Sequence, residues 1–356
     1  MKGLCQKDYS AAFANSSKGS FIQMDGELYY KIENYDLMDN FFMTITSSTD
    51  VWNTLWSQGG ITAGRIDCDH AVFPYYTADK IADGKDFTGS YTGIIVEKTG
   101  EKYIWQPFTH EAKINYNLER NLYKNTSGSK VYFEEINKDL GLTFKYGWTS
   151  SDKYGLVKHS IIQNMDGAAV KIQVLDGCRN ILPACADTNF QNVKSVLLDA
   201  YKKTDFDVNS GLTVFSLSSV PTDKAEPSEG LFGNVSWFTT NGKILTDDKN
   251  IQNFLLGKPV SETKVLKGGR PACLINKEIS LGANACEEWY QVFDTFLSTG
   301  RVIELKKQLA AKADMVDALK KDIEENLKNL EQLIYEADGI QNTGDITASV
   351  HHKANV

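Results

Sequence analysis

An alternation of apolar and polar residues with a period of two runs through most of the chain between residues 28 and 296. Within residues 168–176, Val170 and Ile172 share one face while Lys171 points to the other, as in an antiparallel sheet with one wet face. So many strands in succession predict a mainly β protein, built as a large antiparallel β-sandwich. Eight segments rich in β-branched and aromatic residues carry the alternation: 41–47, 91–97, 130–135, 142–148, 168–176, 212–218, 234–240 and 286–295.

Helical spacing of apolar residues appears in two regions of the sequence. Residues 191–203 predict one helix that interrupts the strands. From about residue 298 a 3-4 repeat predicts two helices in series, with a break near residues 312–314, packed against another part of the protein. Beyond Gly339, a helix stop, Thr347 begins a further predicted helix. The seam of the 3-4 repeat consists of Val302, Leu305, Leu309, Val316, Leu319, Ile323, Leu330 and Leu333, with Lys312 and Asn326 at its two polar positions.

Charge and length limit the classes of partner. The 356 residues carry 38 Lys and Arg against 46 Asp and Glu, and no basic stripe that would gather the phosphates of a nucleic acid. No segment approaches the ~20 apolar residues of a membrane span, and no signal peptide is visible. We therefore expect a cytoplasmic protein that binds neither nucleic acid nor membrane. Six scattered cysteines without metal-ligand spacing predict reduced thiols, no metal and no cofactor.

The stretch WSQGGITAGRIDCDHAVFPYYTADKI, residues 56–81, has an unusual composition for this chain. Its glycines and Pro74 predict a long loop, because glycine permits turns and proline is excluded from central strands. The candidate functional side chains of this stretch are Trp56, Arg65, Asp67, Asp69, His70, Tyr75 and Tyr76.

Three interpretations of this stretch remain open. In the first, the planar fork of Arg65 pairs with Asp67 or Asp69, its nearest carboxylates, and fixes the loop. In the second, the three aromatic side chains offer flat faces to a sugar while Asp69 and His70 bond its hydroxyl groups. In the third, the stretch contacts a separate helical domain at the rim of a catalytic cleft.

No other group of residues predicts a catalytic or metal site. Glu134 and Glu135 are neighbours on a predicted strand, so they point to opposite faces and cannot flank one glycosidic bond. We expect them to lie at a solvated strand end. Structural roles are also predicted for Glu226 and Glu229 in a proline-containing turn, for the adjacent His351 and His352, and for the lone His110 and His159.

Several motifs occur in a fixed order along residues 29–356. Together they resemble the N-terminal part of large cellobiose-phosphorylase-like proteins, a bacterial family of carbohydrate-active enzymes. The ordered set is much more specific than any one motif. The motifs are GGITAGR, AVFPYYTADKI, LERNLYKN, FEEINKDLGLTFKYGW, VLDGCRNILP, DAYKK, AEPSE, EADGIQNTGD and HHKANV.

The resemblance implies a β-supersandwich domain over residues 1–298, linker helices over residues 299–338, and the truncated start of an α-helical toroid over residues 339–356. In that family the toroid carries the catalytic acid, which protonates the leaving oxygen while inorganic phosphate, the co-substrate of a phosphorylase, attacks the anomeric carbon. No residue of this chain inherits the acid. We therefore expect neither phosphorolysis nor hydrolysis by this chain alone.

The leading functional hypothesis is a non-catalytic β-sandwich region that supports the active site of the missing helical domain. Its expected partners are that domain, a β-linked oligosaccharide and a second copy of the chain in a homodimer. The alternative is a stand-alone carbohydrate-binding module. A third hypothesis is a glycosidase contained within the sandwich.

Overall fold

The computed structural model describes residues 16–75, 78–193, 195–220, 226–227, 230–311, 314–337 and 341–355. The strands in these ranges are β1 (Lys18–Met24), β2 (Glu27–Glu33), β3 (Phe42–Ile45), β4 (Val51–Trp56), β5 (Ile61–Arg65), β6 (Ala71–Phe73), β7 (Gly89–Lys98), β8 (Glu101–Trp105), β9 (Leu118–Asn125), β10 (Val131–Asn137), β11 (Leu142–Ser151), β12 (Gly155–Asn164), β13 (Val170–Arg179), β14 (Lys202–Asp207), β15 (Leu212–Leu217), β16 (Ser219–Val220), β17 (Glu226–Pro227), β18 (Phe232–Phe238), β19 (Lys243–Asp247), β20 (Val265–Lys267), β21 (Pro271–Leu281) and β22 (Cys286–Ser298).

The helices are α1 (Ala78–Gly84), α2 (His110–Asn115), α3 (Thr188–Val193), α4 (Ser195–Tyr201), α5 (Lys249–Leu255), α6 (Thr299–Ala310), α7 (Met315–Glu336) and α8 (Ile346–Asn355).

The predicted mainly β fold with large antiparallel sheets is confirmed. An eleven-stranded sheet has the order β1-β2-β9-β10-β11-β12-β22-β18-β15-β14-β20, and a five-stranded sheet has the order β19-β21-β13-β7-β8. A four-stranded sheet, β3-β4-β5-β6, and the hairpin β16-β17 complete the sheets of the described ranges. Each of the eight segments with the predicted alternation contributes a strand to one of them.

The main hydrophobic core lies between these three larger sheets. Leu156 and Ile162 of β12 face Ile172 and Val174 of β13 across it, and Phe73 of β6 joins them. On the other face of β13, Lys171 is exposed, as the alternation predicts, but Leu175 is buried in a second hydrophobic cluster. Burying each such large side chain contributes about 1.5–3 kcal/mol of stability, so alternation at this scale accounts for the layered fold.

The predicted helical seam packs on the outer face of the eleven-stranded sheet. Val157 and Val292, which alternate with core-facing neighbours on β12 and β22, pack there with Trp237. Leu319 and Ile323 of α7 cover them. The sheet is therefore apolar on both faces at this point, with the core on one side and the helices on the other.

Asn326, at a polar position of the seam, anchors α7 to the loop before β4. Its side chain is buried, its Nδ2 donates to Ser47 Oγ at 3.2 Å, and its Oδ1 accepts from the Ser48 N–H at 3.4 Å. The predicted break between the two helices falls between α6 and α7, and Lys312 lies outside the described residues.

The predicted single helix over residues 191–203 is only partly correct. Helices α3 and α4 occupy most of this segment, but Lys202 and Lys203 belong to β14, because this strand pairs with β15. Tertiary pairing overrides the local helical spacing here. The sequence also missed α1, α2 and α5, short helices between strands that carry no long periodic pattern.

The expectation of a solvated strand end at Glu134 and Glu135 is wrong, although the two side chains do point to opposite faces of β10. Glu135 is 0% exposed and Glu134 is 8% exposed. The strand lies inside the sheet, between β9 and β11, and each carboxylate pairs with a cation of a neighbouring strand. Glu135 pairs with Arg120 at 2.6 Å, and Glu134 pairs with Lys145 at 3.1 Å.

Five cysteines of the described residues are free thiols, and Cys5 lies outside them. Burial raises the pKa of the Cys178 and Cys273 thiols, which face each other on β13 and β21. No helix in the described ranges is both long and apolar enough to cross a membrane. The predicted helix near Thr347 is present as α8.

Candidate functional site

The stretch at residues 56–81 is mostly strand and tight turn, so the predicted long loop is wrong. Strands β5 and β6 lie within it, because β4, β5 and β6 pair as consecutive antiparallel strands. Gly59, with φ of 96°, forms the turn between β4 and β5, where its N–H donates to Trp56 O at 2.7 Å. Pro74 comes directly after β6 and therefore removes no sheet hydrogen bond.

Arg65 is clamped within the protein, but not by the predicted partners Asp67 and Asp69. Its Nε donates to Asp294 Oδ1 at 2.7 Å, and its Nη1 donates to Asp50 Oδ1 at 2.6 Å. Its Nη2 donates to the carbonyl oxygen of residue 152 at 2.6 Å. Arg65 ends β5 beside β22, whereas the following residue has φ of 62° and turns the chain away before Asp67.

Asp67, Asp69 and His70 are also bonded inside the protein. Asp67 Oδ1 lies 2.6 Å from His70 Nδ1 and accepts from the Asp69 N–H at 3.0 Å. Asp69 Oδ1 accepts from the N–H and the hydroxyl of Thr188 at 2.8 and 2.6 Å. The bond to His70 lowers the pKa of Asp67, and the bonds to Thr188 lower that of Asp69. These polar groups therefore serve to fix the turn between β5 and β6.

The aromatic residues of the stretch are dispersed. Trp56 is half-buried at the end of β4, and Tyr75 is 46% exposed with its ring edge-on to Trp52 at 5.8 Å. Tyr76 lies outside the described residues. Sugar binding by these side chains stays a prediction.

A cleft of about 330 Å³ lies beside the start of β7 and the end of β13, where the turn between β4 and β5 and the start of α2 meet. This volume falls in the range of about 300–1,000 Å³ that small-molecule sites occupy. We call it the Arg179 cleft. It is lined by Gln58, Gly59, Lys85, Asp86, Ser90, Tyr91, Thr92, Gln106, Pro107, Phe108, Thr109, His110, Glu111, Tyr146 and Arg179.

Three aromatic rings line the Arg179 cleft: those of Tyr91, Phe108 and Tyr146. The Tyr91 hydroxyl donates to Gln106 Oε1 at 3.3 Å, which joins β7 to the turn after β8. A Cβ at Gly59 would lie 3.2 Å from the Tyr146 hydroxyl, so glycine lets the turn approach this group closely. The residues 56–81 thus contribute their glycine turn to the cleft, rather than their charged side chains.

Glu135 holds the wall formed by residues 106–109. Its Oε1 accepts from Trp105 Nε1 at 2.6 Å, and its Oε2 accepts from the Phe108 N–H at 2.8 Å. Phe108 has φ of 67°, a left-handed conformation that costs free energy outside glycine. Arg120 bonds both Glu135 and the Thr109 carbonyl, at 2.6 and 2.7 Å. Burial raises the pKa of Glu135 despite the opposing Arg120 charge.

A buried ion pair lies beneath the floor of the cleft. The Thr92 hydroxyl donates to Asp176 Oδ1 at 2.6 Å, and Lys158 Nζ donates to the same oxygen at 2.6 Å. Ser160 and Trp289 donate to Asp176 Oδ2 at 2.8 and 2.9 Å. Both ionic side chains are 0% exposed, so these four bonds offset the cost of removing the charges from water.

Arg179, at the end of β13, forms one side of the cleft with its guanidinium 4.9 Å from the centre of the Tyr91 ring. Its Nε is buried and has no hydrogen-bond partner among the described residues. Burial lowers the pKa of Arg179, and Tyr91 and Asp86 oppose this effect. Burial raises the pKa of the Tyr91 phenol, and the positive charge of Arg179 lowers it. The effect of burial is the larger, so the pKa is raised overall.

Our sequence reasoning missed this cleft and the groups beneath it. One signal was available: Lys158 occupies a core-facing position of β12, two residues from Leu156, and Asp176 likewise follows Val174 on β13. A charged residue in step with core residues indicates a buried pair, since lysine is almost never buried alone. The sequence carries no comparable signal for Arg179, because Arg179 lies on the opposite face of β13 from Val174 and Asp176.

The remaining candidate residues have separate locations. Within the described part of the chain, no three His, Cys, Asp or Glu side chains come together to hold a metal ion. His110 lies at the rim of the Arg179 cleft, whereas His159 contacts Glu288 and Tyr132 at 2.9 and 3.1 Å. His351 contacts Asn355 on α8. Of the two glutamates in the predicted turn, Glu229 and the side chain of Glu226 lie outside the described residues.

No protein-family model matches the chain, and no curated protein sequence matches it. Among solved structures, a bacterial glucoamylase complexed with acarbose is similar, with a TM-score of 0.48 and 10% identity, covering 82% of this chain and 37% of the glucoamylase. A protein described as a kojibiose phosphorylase from the human microbiome has a TM-score of 0.37 and 9% identity, covering 83% of this chain and 30% of that protein.

A galactose mutarotase-like protein from Lactobacillus casei is similar over its full length, with a TM-score of 0.36, 13% identity and 72% of this chain covered. The present chain spans only about a third of the glucoamylase and of the kojibiose phosphorylase. None of the three is a cellobiose phosphorylase. Identities and scores this low do not transfer an activity or a ligand from these proteins to this chain.

Proposed function

We propose that this chain is the β-sandwich region of a carbohydrate-active protein and that it binds a sugar in the Arg179 cleft. The observation that carries the proposal is the combination of three aromatic rings with several polar groups in one cleft of about 330 Å³. A sugar ring has apolar faces and hydroxyl edges, so it needs an apolar platform beside a few convergent donors and acceptors. The resemblance of the ordered motifs to cellobiose-phosphorylase-like proteins supports the same ligand class.

The cleft has both kinds of group in suitable places. The rings of Tyr91, on β7, and Tyr146, on β11, border the cleft. Gln106 lies on the wall that Glu135 holds, and Glu111 lies beyond it at the rim of the cleft. That wall rests on a buried ionic network, so its groups are fixed before a ligand arrives, which lowers the entropy cost of binding.

Binding of glucose and cellobiose to the full chain, measured by calorimetry or ligand-detected NMR, tests the proposal. We expect dissociation constants in the millimolar range and a loss of affinity of about tenfold in the double variant Gln106→Ala, Glu111→Ala, which removes two hydrogen-bonding groups from the cleft. Tyr75→Ala is the matched control, because Tyr75 belongs to the stretch at residues 56–81 but lies outside the cleft. Loss of binding in Tyr75→Ala, with the double variant unaffected, would place the sugar on that stretch instead.

The second proposal, support of a separate helical domain by residues 1–298 and the linker helices, has its own observation. Leu333 and Tyr335, near the end of α7, are 52% and 65% exposed, although our seam analysis placed Leu333 among the packed positions. These side chains offer apolar surface at the end of the linker. Extending the coding frame beyond Val356 and measuring phosphate-dependent glycoside cleavage would test this role, and a longer protein without that activity would contradict it.

A further inference from the structure

Arg179 differs from the other arginines that the fold buries. Arg65 and Arg120 have side chains 15% and 4% exposed, and they pair with Asp294 and Glu135. Arg179 is also partly buried, yet none of the described carboxylates forms a salt bridge with it, and its Nε is buried without an acceptor among the described residues. The structure therefore places one partly desolvated guanidinium, with no salt bridge to a described carboxylate, at the side of a cleft.

This arrangement is costly in the free protein and useful to a ligand. A guanidinium keeps its charge at all ordinary pH values, so burial without a partner is not relieved by loss of a proton. A desolvated cation attracts an anion more strongly than an exposed one does, because water screens the pair less. The guanidinium lies over the Tyr91 ring, 4.9 Å from its centre, and this contact restrains the side chain, which limits the freedom lost when an anion binds.

The other charges of the cleft restrict where an anion can lie. Asp86 and Glu111 line the same cleft and repel an anion, whereas Lys85 adds a second positive charge. Asp86 is close enough to influence Arg179 without bonding to it. An anionic group must therefore lie on the Arg179 side, with the neutral part of the ligand against the aromatic rings.

We propose that the Arg179 cleft binds a sugar that carries a carboxylate or a phosphate group, and that Arg179 binds this anionic group. The inference rests on the proposed sugar binding and adds the charge of the ligand to it. Arg179 then acts as a specificity-determining residue. The planar fork of arginine suits both oxyanions, so the structure assigns the shared chemistry, and separate probes distinguish the two sources.

The test compares glucose, glucuronate, glucose 6-phosphate and inorganic phosphate as ligands of the full chain, by calorimetry at one ionic strength. We expect glucuronate or glucose 6-phosphate to bind at least about tenfold more tightly than glucose, as for a hydrogen bond to a charged group. Tighter binding of glucuronate identifies the carboxylate, and tighter binding of glucose 6-phosphate identifies the phosphate. Inorganic phosphate that binds as tightly as the sugar phosphate would overturn the proposal, since the sugar would contribute nothing.

Two variants with opposite expected effects sharpen the test. Arg179→Gln should reduce the affinity for the charged sugar to within about twofold of that for glucose. Asp86→Asn should strengthen binding of the charged sugar, because it removes a competing carboxylate. Arg270→Gln is the matched control: Arg270 also lies over an aromatic ring, Phe87, at 4.9 Å, but outside the cleft, and its removal should change nothing.

Thermal stability separates a binding role from a structural one. Because Arg179 has no bonded acid, Arg179→Gln should melt at the wild-type temperature or above, and the charged sugar should raise the melting temperature of the wild type only. A large fall in melting temperature for Arg179→Gln would overturn the proposal. If glucose binds but charged sugars bind no better, only this inference fails; if no sugar binds, the proposed function fails with it.

Discussion

Arg65 joins three separate parts of the sandwich, and its removal should therefore cost much more than a surface charge. Its partners lie on β22, before β4 and in the turn between β11 and β12, and Asp294, whose side chain is only 16% exposed, would be left without its cation. Breaking a buried pair on one side costs about 3–5 kcal/mol. We expect Arg65→Ala to lower the free energy of unfolding by about 3 kcal/mol in urea denaturation.

Arg301→Ala is the control for this variant. Arg301 pairs only three residues along its own helix, with Glu304, and the two side chains are 58% and 51% exposed. Such a pair contributes at most about 0.5 kcal/mol. Equal effects of the two substitutions would contradict the role of Arg65 as a clamp between strands.

At the scale of elements, Glu288 connects the eleven-stranded sheet to α7. It lies on β22, where its Oε2 contacts His159 Nε2 at 2.9 Å and its Oε1 accepts from Lys320 Nζ at 2.8 Å. The bonds to His159 and then Lys320 lower the pKa of Glu288 from 4.5 to about 2. Because the folded state prefers the ionised form, this carboxylate stabilises the protein above pH 4.5, and the contribution disappears as the pH falls toward 2.

We expect Glu288→Gln to be less stable than the wild type near pH 5, with the difference in free energy of unfolding vanishing as the pH approaches 2. Denaturation at a series of pH values measures this difference. Hydrogen exchange of the α7 amides should report the same trend if the contact holds the helix to the sheet. Glu324→Gln, an exposed position on α7, is the control and should show no such trend. A stability difference for Glu288→Gln that is constant from pH 5 to pH 2 would refute the linkage.

At the scale of the whole molecule, the linker helices and the sheet beneath them form one packed unit. Leu319 is 0% exposed and Ile323 is 7% exposed, because both cover Val157, Trp237 and Val292 on the outer face of the sheet. A chain ended at residue 298 would expose this apolar surface. Contiguous apolar patches of that kind promote association in soluble proteins.

We therefore expect residues 1–298 to bind a hydrophobic dye and to self-associate in sedimentation, while residues 1–356 do so much less. Residues 1–356 with Leu319→Ala should give an intermediate result, since this substitution loosens the contact without removing the helices. A truncated chain that sediments as a clean monomer and binds no dye would show that the sheet does not need its helical cover.

The sequence alone determined the class of fold and the position of eight of the strands. Alternation at period two is a local property, as in β11 and β13, and it identifies the face that each strand buries whatever lies opposite. The seam of α7 is equally local, because residues three and four apart share a helix face. The sequence also showed that Asn326 occupies a polar position of the seam, but it did not show that Ser47 and Ser48 are its hydrogen-bond partners.

Only the tertiary structure decided which charges are buried and with what partner. Arg65 bonds Asp294, 229 residues away in sequence, rather than the carboxylates within four residues of it. The sequence predicts Glu135 as a solvated strand residue, and only the pairing of β10 with β9 and β11 shows that it is buried. Arg179 becomes a candidate ligand-binding residue only when β7 and the turn after β8 form a cleft around it. Such pairings depend on which strands become neighbours, and the periodicity of one segment carries no information about that choice.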